Sequence, residues 1–204
     1  MKFFFTCLLL FSVTTASTTA TAQTAYESVR ESTDVLLKRL VEVQPLYEED
    51  PEQFFTAVQD ALTPNIDFEG FAKGVMAKHY RTATDEQREA FLGQFQDALI
   101  RTYATALLEF DNQKVIVVEP TRPPKTGDKA TILIEVYSGS GTLYPVHYQL
   151  GLQEDGRWLL RNVIINGINI GLQFRSQFNA YMQKYKQDID LVIQNWEVEV
   201  DDAS

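Results

Sequence analysis

The sequence predicts an α+β fold, and three changes of pattern along the chain are the reason. Apolar residues recur at helical spacing from residue 24 to about residue 107, alternate with period two from Val115 onward, and return to helical spacing after Gly167. Short turn signals join the alternating stretches one after another. Strands connected in that way form an antiparallel, four-stranded meander, and the helices before and after it cover one face.

Residues 24–43 carry Val29, Thr33, Leu36, Leu37 and Leu40 at helical spacing, and Pro45 stops the run. A second helix starts at Asp50-Pro51, with Asp as N-cap and Pro in the first turn, and sets Phe54, Val58 and Leu62 on one face. A third begins near Asp67 and presents Phe68, Phe71 or Ala72, Val75 and Met76. Thr84 and Gln87 have the spacing of a capping box, and Phe91, Phe95, Leu99 and Tyr103 then mark one face of a long fourth helix. In the strand region Ala130, Ile132, Ile134 and Val136 alternate with Thr131, Leu133, Glu135 and Tyr137. Val146, Tyr148 and Leu150 repeat the pattern in the next segment. The turns come from Ser138-Gly139-Ser140-Gly141 and Asp155-Gly156, and Gly167 separates the last strand from the final helical stretch, Leu172 to Ile193.

The first 22 residues read as a secretory signal peptide: Lys2 is the positive end, Phe3 to Val13 the apolar core, and Ala20-Thr21-Ala22 the small-residue cleavage site before Gln23. Cleavage there removes Cys7, the only cysteine, so the mature chain holds neither a disulfide nor a thiolate metal site. Lys2 leaves as well, so 17 basic residues face 28 acidic ones, a balance of −11. Such a chain is repelled by nucleic-acid phosphates and by anionic membrane surfaces. No later apolar run is long enough to span a bilayer. The expected organisation is a leader over residues 1–22, a single domain over 23–196 and an acidic tail over 197–204.

Catalytic signatures are sparse. His79 and His147 lie far apart, no HExxH, GxSxG or P-loop pattern occurs, and Asp67 suits an N-cap as well as a general base. An enzyme acting on a small hydrophobic molecule would have to draw on Asp67, Tyr103 and His79. The numerous Phe and Tyr residues leave two readings open. They fill an ordinary core, or part of the surface they share lines a cavity for an apolar ligand.

Two segments carry a resemblance. PNIDFEGFAKGVMAKHYRTATDEQREAFLGQFQDALIRTYATAL, from Pro64 to Leu107, and WLLRNVIINGINIGLQFRSQF, from Trp158 to Phe178, together resemble the MlaC family, also known as toluene-tolerance proteins. The likeness extends over nearly all of the chain after the leader. It departs at Ala77, where the family often has Gly, at Asn162, where Asp is common, and at Asn169, where Ser is frequent.

The resemblance implies an NTF2-like fold whose curved antiparallel sheet and helices enclose an apolar cavity. It implies a periplasmic, non-catalytic phospholipid carrier that maintains outer-membrane lipid asymmetry. The partners implied are an outer-membrane lipoprotein complex and an inner-membrane ABC transporter with an MCE-domain protein. The carrier would be a monomer without stable membrane insertion, needing no cofactor or metal, with phospholipid as cargo. A ligand-free periplasmic adaptor with a solid core is the bland alternative.

Two acyl chains hold on the order of 30 methylenes at about 0.8 kcal/mol each, so a bare lipid in water costs roughly 20 kcal/mol or more. A carrier must enclose the tails, whereas the charged headgroup is better left in water. The expected tail-facing residues are Phe71, Val75, Met76, Phe95, Leu99 and Tyr103 on the helices. Ile132, Ile134, Val136, Val146, Tyr148 and Leu150 face them from the sheet, and Trp158, Leu160 and Ile168 extend the wall.

Overall fold

The computed structural model of the chain describes residues 23–108, 114–121 and 127–198. The expected leader and residues 199–204 of the expected tail lie outside the described residues.

The helical half is α1 (Ala25–Val43), α2 (Leu46–Glu49), α3 (Pro51–Leu62), α4 (Phe68–Met76) and α5 (Asp85–Leu108). Each expected cap is present. Asp50 Oδ1 accepts from Gln53 N at 3.1 Å, and Asp67 Oδ1 accepts from Gly70 N at 2.8 Å. Thr84 and Gln87 form both halves of their box, at 3.2 and 3.1 Å. A further box, Thr24 with Glu27, starts α1, and α2 is a short helix that the sequence pattern did not single out. Arg101 on α5 donates to both carboxylate oxygens of Glu52 on α3 at 2.9 and 2.8 Å, tying the two helices together at the surface.

The strands are β1 (Lys114–Val117), β2 (Lys129–Tyr137), β3 (Leu143–Leu152), β4 (Trp158–Ile165) and β5 (Ile168–Asn169), antiparallel throughout and paired in chain order. Among the described residues the meander therefore has five strands rather than four. Asn166 and Gly167 both take positive φ, 53° and 84°. Two such residues in a row turn the chain tightly back on itself, and β5 pairs with the end of β4 before the next helix begins. The final stretch is likewise two helices, α6 (Ile170–Lys184) and α7 (Ile189–Gln194). Lys186 and Gln187 separate them at φ 53° and 69°, outside the helical region.

Pairing fixes which side chains share a face. Ile132 faces Tyr148, Ile134 faces Val146, and Ala130 faces Leu150, so the expected alternation holds across β2 and β3. On β4 the register shifts: Leu150 pairs with Leu160 but Gln149 pairs with Asn162. Arg161 is the extra residue of a bulge, which returns Val163 and Ile165 to the face of Leu160.

Ala77 follows α4 at φ 50° and ψ −116°, a backbone region that a side chain opposes. Ala77→Gly should raise the stability of the fold by about 1 kcal/mol, since the strain relieved exceeds the entropy that glycine adds to the unfolded chain. Chemical denaturation checks this, and an unchanged or lower midpoint would mean that Ala77 bears no strain.

Candidate functional site: an apolar slot and a polar cleft

The apolar residues separate into two clusters. The larger is helical and closely packed. Phe95 is fully buried, with its ring centroid 5.3 Å from Phe71, 5.6 Å from Phe91 and 5.8 Å from Phe174. Trp196 closes this cluster at 5.3 Å from Phe91, and Val198, within the expected tail, packs against it. The smaller cluster lies on the sheet, where Ala25 and Val29 of α1 pack on Ile132, Ile134 and Leu150.

The seam between the clusters is the candidate slot. Close helix-to-strand approaches occur at its two sides, with α1 on β1 and β2 and with α4 and α6 on β4. α5 makes no comparable approach to any strand. Among the described residues, β3 is thus met closely by a helix only where α1 reaches Leu150. Val136, Val146, Tyr148 and every residue of β4 are only half-buried, although Trp158, Leu160, Val163 and Ile165 of β4 are apolar residues on the covered face. A closed core would bury them fully.

The expected lining is accordingly divided. Phe71, Val75, Met76, Phe95 and Leu99 belong to the helical cluster. Ile132, Ile134 and Leu150, with half-buried Val136, Val146, Tyr148 and Trp158, belong to the sheet cluster. Tyr103 is half-buried against the helical cluster, Leu160 is half-buried on the slot face, and Ile168 stands at the rim with 41% of its surface exposed. Val163 and Ile165 join that face only because of the bulge, and alternation read straight through β4 would place them on the opposite side.

Burial pushes the Tyr103 and Tyr148 hydroxyls above their ordinary range. Neither has a hydrogen-bond partner among the described residues. Both phenols should stay neutral as pH passes about 10, where an exposed tyrosine ionises. The unfolded chain loses these protons first, so the stability they contribute is complete below about pH 10 and is lost as pH rises through the higher folded values. In a tyrosinate absorbance titration, Tyr148→Phe should remove one late-ionising phenol. A late phase of unchanged amplitude would show that Tyr148 is not desolvated.

The candidate acid and base groups do not converge. Asp67 caps α4 and accepts from Arg161 Nε at 2.7 Å. His79 is buried against the Phe178 ring, with Nε2 3.2 Å from Asn179 Oδ1. His147 is half-buried between Leu133 and Ile164 on the face away from the slot. Among the described residues no three His, Cys, Asp or Glu side chains gather as a metal set, and no helix is long and apolar enough to cross a membrane.

A second concavity of about 180 Å³ lies between α4, α6 and the other face of β4, lined by Gly70, Phe71, Gly74, Arg161, Asn162, Asn169, Gly171, Leu172 and Arg175. Its lining mixes polar side chains with Phe71 and Leu172, and it is small for an acyl chain.

The family model for MlaC protein matches residues 30–198. The chain belongs to the MlaC family. Toluene tolerance protein ttg2D of Pseudomonas putida is 39% identical over 183 residues, 89% of this chain and 84% of its own. The intermembrane phospholipid transport system binding protein MlaC of Haemophilus influenzae is 26% identical over 156 residues, 74% of this chain and 72% of its own. A phospholipid-binding protein from Ralstonia solanacearum, solved in complex with a phospholipid, matches in fold with a TM-score of 0.73 at 22% identity, covering 83% of this chain and 93% of that one. The expected MlaC-type architecture, an antiparallel sheet packed on helices, is the one observed. Two of the three departures from the MlaC pattern fall in one place: Asn162 and Asn169 line the polar cleft and hydrogen-bond to each other at 3.0 Å.

Proposed function

We propose that this protein is a phospholipid carrier that holds acyl chains in the slot between α5 and the sheet and leaves the headgroup in water. The observation that carries this reading is the partly exposed apolar face of β3 and β4, which among the described residues meets the helical core only through Val163 and Ile165 of β4. A protein that needed only stability would bring the two clusters together, since each buried methylene contributes about 0.8 kcal/mol. Membership of the MlaC family and the names of the relatives point the same way.

In the full proposal the leader exports the chain to the periplasm. There it ferries phospholipid between an outer-membrane lipoprotein complex and an inner-membrane MCE-domain ABC transporter, preserving outer-membrane lipid asymmetry. The work is transfer rather than catalysis. The net charge of −11 after leader removal opposes adhesion to anionic bilayers, so loading and unloading fall to protein partners. Organic extraction of the purified protein followed by mass spectrometry should return diacyl phospholipid in near-stoichiometric amount. Protein that yields none, and that takes up none from vesicles when mixed with purified partner complexes, would sink the reading.

A further inference from the structure

The polar cleft is built, and glycines build it. A Cβ on Gly151 would stand 2.5 Å from the Arg161 guanidinium carbon, and one on Gly171 would stand 2.6 Å from Asn162 Oδ1. A Cβ on Gly70 would run into the Asp67 carboxylate. Each glycine thus leaves the space that one polar side chain occupies, and hydrogen bonds fix those side chains in place. Asn162 Nδ2 donates to Gln149 Oε1 at 2.8 Å and to Asn169 Oδ1 at 3.0 Å. Asn162 Oδ1 accepts from Gly171 N at 2.8 Å, and Asn169 Oδ1 accepts from Leu172 N at 3.0 Å. Asp67 holds Arg161 through Nε, and the carbonyl of Gly74 holds Arg175 through Nε at 2.9 Å.

What remains unpaired has one character. The amides of Gly171 and Leu172 are already taken, so the start of α6 offers them to no ligand. Each guanidinium, by contrast, spends only Nε. The Nη1 and Nη2 groups of Arg161 and Arg175 have no hydrogen-bond partner among the described residues. Asp67 offsets the charge of Arg161, whereas Arg175 has no carboxylate within ion-pair distance among the described residues. Two forks of donors on one cleft, with net positive charge in a strongly acidic protein, match the geometry in which arginine binds planar or tetrahedral oxyanions.

We propose that this cleft binds a phosphate-class oxyanion, held between the Arg161 and Arg175 guanidinium groups. The shared chemistry has two sources, the phosphodiester of a phospholipid headgroup and free phosphate, and the site stands apart from the slot whichever supplies it. Isothermal titration of the delipidated full chain with inorganic phosphate, and separately with glycerophosphoethanolamine, a headgroup without tails, tests it. The expected result is saturable binding of at least one probe, weakened tenfold or more by Arg175→Ala and unaffected by Arg39→Ala on the distant face of α1. Arg175→Lys, which keeps the charge but not the fork, should lie between. Binding of glycerophosphoethanolamine alone assigns the site to headgroups; binding of phosphate alone assigns it to the free ion. No saturable binding of either probe, or equal binding by wild type and a folded Arg175→Ala, would overturn the proposal. Extracted lipid, measured on the same samples, reports on the slot separately.

Discussion

Phe95→Ala should lower the stability of the fold by about 3–5 kcal/mol, the cost of deleting a fully buried aromatic side chain from a core that cannot collapse around the gap. For a chain of this size that corresponds to a fall in Tm of roughly 10–15 °C. Phe95 sits at the crossing of α4, α5 and α6, and its ring meets Phe71, Phe91, Phe174 and Trp196, the last at 6.4 Å. Those neighbours are pinned by one another, because Phe91 also packs on Phe178 and Trp196. Val163→Ala, at a half-buried position where β4 meets the helical cluster, removes less apolar surface and should cost about 1 kcal/mol. Thermal and denaturant unfolding of the two variants side by side decides the matter. Equal losses would mean that the slot face is packed as tightly as the helical core and that the two clusters are in fact one.

That contrast marks where the sequence stopped being informative. Asp50, Asp67 and the Thr84–Gln87 box were legible because a cap is a local bond between a side chain and a backbone three residues on. The face shared by Ile132, Ile134, Val146 and Tyr148 was legible because a strand alternates. The bulge at Arg161 was not: one inserted residue flips every position after it, and nothing in the local composition announces the insertion. The Asn166-Gly167 pair did carry a hairpin signal, but the two-residue strand after it is too short to show a period of its own. Leu172 satisfies a helical pattern yet is 52% exposed, since it lies in the first turn of α6 beside the cleft rather than over the core. Arg161 and Asp67 stand 94 residues apart in sequence, so their pairing depends on the fold itself. Periodicity names the apolar face but says nothing about what stands opposite it, so the separation of the two clusters had to come from the coordinates.

That separation leads to the sharpest test of the carrier reading. Val146→Glu should cut the phospholipid recovered from purified protein at least tenfold while leaving a folded chain. Val146 lies in the middle of the sheet between Ile134 and Ile165, half-buried on the slot face. In the empty protein a carboxylate there keeps contact with water, so the fold survives, with a smaller loss of Tm than Phe95→Ala causes. Once tails enter, the same group loses that water without gaining a partner, at a cost of several kcal/mol. Only 1.4 kcal/mol of lost binding energy is needed for each tenfold loss of lipid. Thr131→Glu is the matched control, because Thr131 is exposed and one register position sends its side chain to the opposite face. That variant should retain lipid like the wild type. Full lipid recovery from a folded Val146→Glu protein would show that the tails lie somewhere other than this face of the sheet. Loss from both variants would mean that added charge anywhere on the sheet disturbs loading, and the slot would lose its claim to be the site.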